Sequence, residues 1–368
     1  MPSGAVVNVQ LKLFLAVIIL FLCAFPASAR EIVINAVGDI MLAGSSAATL
    51  QRRGYDYAFA ATSNELRKGD VAVGNLEAPI ARGGIEFMFK KFRFRADPLA
   101  APALRRAGFS ILTLANNHIM DFGEPALLET LHYLDSNGIR FVGAGQTLAA
   151  ARKKSVLQVK GAKVAFLAYS VTLPVEFHAT VEHAGTSPGY PHYFREDISE
   201  AKDSSDYVIV SFHWGIEGAE MPHRLQVAAA RAAIDAGANV VLGHHPHVLQ
   251  GIERYKKGVI FYSLGNFAFG SLSPSSDRSI IARITLDDGI KAVEIIPLNV
   301  LNSEVLYQPK PLKGKRGKTV IDHLGQISRA MGSSIVSDGN RHHVSIENAG
   351  DQYVFMEEDA HVPAVRGD

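Results

Sequence analysis

The chain has 368 residues, with 37 Lys+Arg against 36 Asp+Glu and 48% hydrophobic residues. That balance can bury a large core, and it excludes a disordered chain and a polycation. It also argues against nucleic acid as a partner, because phosphate-driven binding needs a basic surplus gathered on one face.

The first element is an apolar run, Leu13–Phe25, preceded by Lys12 and followed by Pro26-Ala27-Ser28-Ala29-Arg30. The run is short against the roughly 20 residues of a spanning helix, and Ala27-Ser28-Ala29 supplies a small-residue cleavage pattern. Residues 1–29 are therefore expected to be a secretory signal peptide, with the bulk of the chain exported to a periplasmic or extracellular location. An uncleaved anchor over 13–25 is the alternative. Leu22 before Cys23 speaks against a lipoprotein. Cys23 is the single cysteine, so the exported part has no disulfide and no thiolate ligand.

Val- and Ile-rich runs of strand length follow at Ile32–Val37, Val71–Val73, Ile111–Ala115, Val164–Tyr169, Tyr207–Phe212, Val240–Leu242 and Val259–Ser263. Helical patterns lie between several of them. Pro125–Asp135 carries Leu127, Leu128, Leu131 and Leu134 on one face, and the Ala-rich Pro222–Ala236 closes with Gly237. Hairpins are expected around Lys160-Gly161-Ala162-Lys163 and Asp287-Asp288-Gly289, so the sheets should be mixed. Composition shifts after Gln308. The basic, Lys/Gly/Pro-rich stretch Pro309–Lys318 suggests a linker, followed by a helix over Thr319–Met331 and a polar tail. The expected organisation is a leader (1–29), one α/β domain (30–305) and a C-terminal extension (306–368).

Six of the strands run directly into polar, chemically capable residues: Gly38-Asp39, Gly74-Asn75-Leu76-Glu77, Asn116-Asn117-His118, His213-Trp214-Gly215, Gly243–His247 and Gly265-Asn266-Phe267. Loops at the carboxyl ends of strands are where α/β sheets bind ligands, so these groups can converge on one crevice. Asp39, Glu77, Asn117, His213, His245 and His247 form a mixed oxygen and nitrogen set suited to Mn, Fe or Zn and too nitrogen-rich for calcium. In His245-Pro246-His247 an extended backbone would put both imidazoles on one side, and the proline biases His245 that way. Taken singly, Asp39 is explained as well by a cap, Asn116 and Asn117 by a turn, and His213 and Trp214 by packing. Three histidines in four positions after a buried strand are harder to explain without a metal.

These motifs resemble the bacterial CapA family of poly-γ-glutamate capsule biosynthesis, whose fold is similar to calcineurin-like metallophosphoesterases. The resemblance runs from about Ile32 to Pro297 and rests on Val37–Leu42, Gly74–Pro79, Leu114–His118 with Asp121-Phe122-Gly123, Phe212–Gly215, Gly243–Gln250 and Tyr262–Phe267. It implies a four-layer α/β/β/α sandwich with mixed sheets. It also implies metal ligands at Asp39, Asn117, His213, His245 and His247, a leaving-group acid at His118, and Asp121 to orient that imidazole. Two departures stand out. Met41 replaces the histidine expected two positions after Asp39, and Asn75 stands where a metal-bridging aspartate is expected, with Glu77 the nearest carboxylate. One or two ions remain open: Asn117, His213 and His245 for one, Asp39, Glu77 and His247 for a weaker second.

For substrate, alternation in Phe89–Arg95 would put Lys91, Arg93 and Arg95 on one strand face, fit for an anionic polymer or phosphoester. Asn116, His244 and Asn266 are further substrate-contact candidates. The expected function is an exported capsule-biosynthesis protein acting as a metal-dependent hydrolase of a phosphoester or γ-glutamyl bond. The alternative is a non-catalytic polymer-binding component working with membrane capsule-assembly partners.

Overall fold

The computed structural model describes residues 31–273 and 276–345. The apolar run Leu13–Phe25, its cleavage pattern and the tail beyond residue 345 lie outside the described residues. Within them, two large sheets face one another. The first has ten strands, and its main path runs Ile335–Asp338, Arg341–Val344, Ile290–Asn299, Arg278–Leu286, Ile32–Met41, Val71–Leu76, Phe109–Thr113 and Arg140–Val142. The second has six, ordered Ile252–Tyr255, Gly258–Phe261, Val240–His244, Tyr207–His213, Ala162–Ser170 and Ser155–Val159. Both expected hairpins are present as antiparallel pairs, Ser155–Val159 with Ala162–Ser170 and Arg278–Leu286 with Ile290–Asn299.

Strand alternation sorts the apolar residues into three layers. Ile34, Ala36, Val71 and Val73 of the first sheet meet Phe166, Ala168, Ile209 and Leu242 of the second in one central layer. On the first sheet's other face, Ala72, Phe109 and Leu112 pack with Leu104 and Leu127 from helices Ala100–Ala107 and Gly123–Ser136. On the second sheet's other face, Leu167, Val210 and Val241 pack with Ile198 and Ala230 from helices Pro191–Ser204 and Arg224–Asp235. The result is the α/β/β/α order of layers. Helix Arg224–Asp235 starts where His223 and Gln226 close a reciprocal cap: the His223 side chain accepts from Leu225 N–H, and Gln226 accepts from His223 N–H at 2.8 Å.

The stretch after Gln308 is not a linker. Lys310–Pro311 pairs with Ile290–Asn299, and the helix of this region spans Gly314–Arg329, burying Val320, Ile321, Leu324 and Ile327 in the central layer. Strand Arg341–Val344 then joins the first sheet beside Ile290–Asn299. The Lys/Gly/Pro composition reflects the exposed start of that helix; its apolar stripe decides the packing.

Direction matters most for function. Strands Ile32–Met41, Val71–Leu76, Phe109–Thr113 and Arg140–Val142 are mutually parallel, as are Ala162–Ser170, Tyr207–His213, Val240–His244 and Gly258–Phe261. Their carboxyl ends open together, with Asp39 in register with Asn75 and His244 with His213. Two glycines allow the neighbouring chain to cross there. A Cβ on Gly38 would lie 1.8 Å from the Gly265 carbonyl oxygen, and one on Gly243 would lie 2.0 Å from that of Tyr262. The closeness is used: Asp39 N–H donates to Gly265 O at 3.0 Å and Leu264 N–H to Gly243 O at 3.1 Å.

Candidate metal centre

Asp39 sits at the meeting of the two sheets and is fully buried. Its Oδ1 accepts from Asn75 Nδ2 at 2.9 Å and lies 3.0 Å from His244 Nδ1. Oδ2 accepts from the His245 backbone N–H at 3.2 Å and lies 3.2 Å from His247 Nδ1. Burial opposes ionisation, but the hydrogen bonds from His244 and His247 hold this carboxylate well below its ordinary range.

Glu77 faces the same space with one oxygen, Oε2, at 3.4 Å from Asn75 Nδ2. Its Oε1 is buried with no hydrogen bond, 3.5 Å from His213 Nε2 and 3.7 Å from His247 Nε2. Burial and the neighbouring Asp39 charge push its carboxyl well above the ordinary range. His213 Nε2 also lies 2.9 Å from Asn117 Oδ1. His245 Nδ1 is a second buried nitrogen with no partner, and its ring is centred 4.8 Å from that of His213 and 5.8 Å from that of His247. Burial first, then the neighbouring His247 charge, lowers His245 to about 3. Burial also lowers His247, yet Glu77 and Asp39 raise it to about 10.

Three groups of candidate ligands follow, each with its donor atoms within 4.8 Å of one another: Glu77, His213 and His245; Asp39, Glu77 and His247; Glu217, His245 and His247. Buried polar atoms without a partner cost free energy, and two residues that carry such atoms, Glu77 (Oε1) and His245 (Nδ1), belong to one group of candidate ligands. The residues present therefore fit a divalent cation.

The histidine pair reaches the site by another route than extended backbone. His245 has φ +95° and His247 φ +57°, so the chain kinks at both positions. For residues with a Cβ this left-handed region is strained, and the Asp39 and Asn266 contacts hold it.

The remaining expected site residues divide. His118 Nδ1 is 2.6 Å from Asp121 Oδ2, and both residues are buried. Asn116 is turned inward: its amide donates to Asn75 Oδ1 at 3.0 Å and Leu76 O at 2.8 Å, and its Oδ1 accepts from His118 and Ile119 N–H. These hydrogen bonds tie Asn116 into the loop that carries His118. His244 is 1% exposed against Asp39, and Asn266 Oδ1 lies 2.9 Å from His247 Nδ1, so both contact residues of the candidate ligand groups.

The basic strand is also corrected. Residues 89–95 form no strand, so alternation does not apply. Lys91 points to solvent, Arg93 pairs with Glu86 at 3.0 Å, and Arg95 donates to Gly83 O at 3.0 Å with its guanidinium over Phe122. The cation that enters the site is Lys90, whose Nζ donates to Asp121 Oδ1 at 2.6 Å and to Asn117 O and lies 3.0 Å from His118 Nδ1. Sequence reasoning missed Lys90 because it assumed a strand. It missed Glu217 because a carboxylate four positions past His213 belongs to no recognised spacing.

The sequence profile of the bacterial capsule synthesis protein PGA_cap matches residues 33–271. The chain belongs to this family. It is 33% identical over 298 residues to the capsule biosynthesis protein CapA of Bacillus anthracis, covering 78% of this chain and 72% of that one. It is 33% identical over 297 residues to the PGA biosynthesis protein CapA of Bacillus subtilis (strain 168), covering 79% and 77%. Among solved structures it is similar to a calcineurin-like phosphoesterase from Bacillus subtilis, with TM-score 0.41 and 14% identity over 82% of this chain and 97% of that one. It is also similar to an NAD nucleotidase from Haemophilus influenzae, with TM-score 0.45 and 14% identity over 80% of this chain and 62% of that one. The chain is a CapA-like member of the capsule synthesis family with an α/β/β/α layered fold and a His/Glu/Asp cluster suited to a divalent metal.

Proposed function

We propose that this protein is an exported, metal-dependent hydrolase of a phosphoester or γ-glutamyl bond in the metabolism of an anionic capsule polymer such as poly-γ-glutamate. The observation that carries this reading is that Glu77 and His245, each with a buried side-chain atom lacking a partner (Glu77 Oε1 and His245 Nδ1), belong to one group of candidate ligands. Glu77, His213, His245 and Asn117 would hold a first Mn, Zn or Fe ion, and Asp39, Glu77 and His247 a second. Glu77 stands in both sets, so its carboxylate would help to hold either ion, a contribution the neutral Asn75 amide would not match.

A bound divalent ion supplies acidified water and polarises a phosphoryl or carbonyl oxygen. The chain's own groups do the rest. Asp121 fixes the His118 ring through Nδ1, leaving Nε2 to pass a proton to a leaving group. Lys90 clamps that pair and places one positive charge beside the path of an anionic substrate.

Elemental analysis of the protein as isolated, combined with turnover of bis(p-nitrophenyl) phosphate and poly-γ-glutamate with and without added metal, tests the proposal. Bound metal with metal-dependent turnover is expected. A metal-free protein that binds poly-γ-glutamate without cleaving it would overturn hydrolysis and leave a polymer-binding component.

A further inference from the structure

The loop between Pro79 and Ala96 is firmly held but turns its apolar side chains outward. Its neck is closed by Ala81 N–H to Ala96 O at 3.1 Å and Ala96 N–H to Pro79 O at 2.8 Å. Its interior is pinned to the His118–Phe122 turn by Ile85 N–H to Phe122 O, Phe87 N–H to Asp121 O and Phe94 N–H to Asp121 Oδ2, each at 2.9 Å. Yet Phe89 is 92% exposed, Ile85 76%, Met88 69% and Phe92 60%. Four large apolar side chains standing clear of a fixed backbone need a surface to cover them.

That surface borders the candidate metal centre, because Lys90 of the same loop donates to Asp121 and Asn117 and lies 3.0 Å from His118 Nδ1. The Phe87 ring meets Phe89 at 5.7 Å and Phe177 at 4.9 Å, joining this loop to the one after strand Ala162–Ser170, where Val171, Leu173 and Val175 are also exposed. Val171 in turn shares an apolar groove of about 600 Å³ with Ile216 and Leu225. The charges are uneven around this fringe. From residue 82 to 95 the chain carries Arg82, Lys90, Lys91, Arg93 and Arg95 against Glu86 alone, whereas Glu176, Glu182, Glu217 and Glu220 lie on the other two loops. Arg82, Lys91 and Arg95 are exposed beside the apolar tips.

Aromatic and aliphatic tips set among cations are the composition that enters an anionic lipid interface, with the apolar groups in the acyl boundary and the cations at the headgroups. We infer that the 85–92 loop is a membrane-docking element that seats the mouth of the metal centre on a bilayer surface bearing anionic phospholipid. The inference concerns which surface the mouth faces, and it stands or falls separately from hydrolysis.

The test uses the full chain carrying Phe89→Trp. Trp214 is the single native tryptophan, 1% exposed and hydrogen-bonded to Tyr262 O at 2.9 Å, so it gives a constant background. With vesicles of phosphatidylcholine and phosphatidylglycerol containing brominated acyl chains, the introduced indole should be quenched and blue-shifted. Lys91→Glu with Phe92→Ser in the same background should remove the effect, while melting temperature and bound metal stay unchanged. The readout is local to position 89, so attachment through residues 13–25 does not mimic it. Absence of quenching, equal quenching in pure phosphatidylcholine, or a blue shift that tracks protein concentration without vesicles would each overturn the inference, the last in favour of a second copy of the chain.

Discussion

Asn75 donates its side-chain amide to Asp39 Oδ1 across 2.9 Å, and the same nitrogen lies 3.4 Å from Glu77 Oε2 and 3.3 Å from His213 Nδ1. A neutral donor therefore stands between two carboxylates where a third would crowd them. Asn75→Asp removes that donor and adds a buried like charge, which should destabilise the metal-free protein by about 3–5 kcal/mol. Added divalent cation should restore stability by neutralising the cluster. Thermal melts with and without metal check this; a variant equally destabilised in both conditions would count against a shared cation site.

His245→Ala deletes an imidazole common to two of the ligand groups. Loss of even an orienting partner costs metal sites roughly tenfold to a hundredfold in affinity, so loss of this ligand should exceed that range. Elemental analysis and competition with a chelator measure it. Retained stoichiometry and affinity would remove His245 from the ligand set.

His245 and His247 should shape metal-free stability on opposite sides of pH 6.5. His245 is lowered from 6.5 to about 3, so between those values the unfolded chain binds the extra proton and stability falls as pH falls. His247 is raised from 6.5 to about 10, so its proton favours the folded state below 6.5 and that contribution is lost as pH rises toward 10. Denaturant titrations across pH should show both flanks, with His245→Gln flattening the acid side and His247→Gln the alkaline side. A profile unchanged by either variant contradicts the assignment.

Lys90 and Lys91 are neighbours with unlike surroundings. Lys90→Met breaks the contacts to Asp121 and Asn117, and should lower kcat by about 10²-fold or more while leaving metal content intact. Lys91→Met, at an exposed position, should change kcat by less than about twofold. Rates on a phosphodiester substrate decide between them, and equal losses would restore the sequence-derived assignment.

Gly243→Ala should cost at least about 1–3 kcal/mol, because the added carbon would meet the Tyr262 carbonyl at 2.0 Å and relief requires moving the strand that carries His244. Chemical denaturation measures the loss. Stability within error of the parent would show that the crossing is looser than these contacts imply.

The layered fold was legible because its strands are buried on both faces and read as unbroken Val/Ile runs. Val71–Leu76, for example, is buried at every position. Asp39, Glu77, His213, His245 and His247 were legible for a related reason, since polar groups at the ends of such strands interrupt an otherwise apolar text. Lys90 and Glu217 were not, because irregular loops carry no periodicity that says which side chain turns inward. The kinks at His245 and His247 escaped notice too: a histidine with positive φ is imposed by its hydrogen-bond partners, and the local sequence favours the opposite geometry.

The donors around the cleft come from two separate walls, with Asp39, Glu77 and Asn117 on one sheet's strand ends and His213, His245 and His247 on the other's. Small side chains, among them Ala36 and Ala168, lie in the layer between those walls. Thickening that seam by a methyl group would act as a shim, splaying the jaws apart and changing how many donors an ion can grasp at once. In the proposed centre, coordination number would thus be adjustable from the interior, without touching a single candidate ligand.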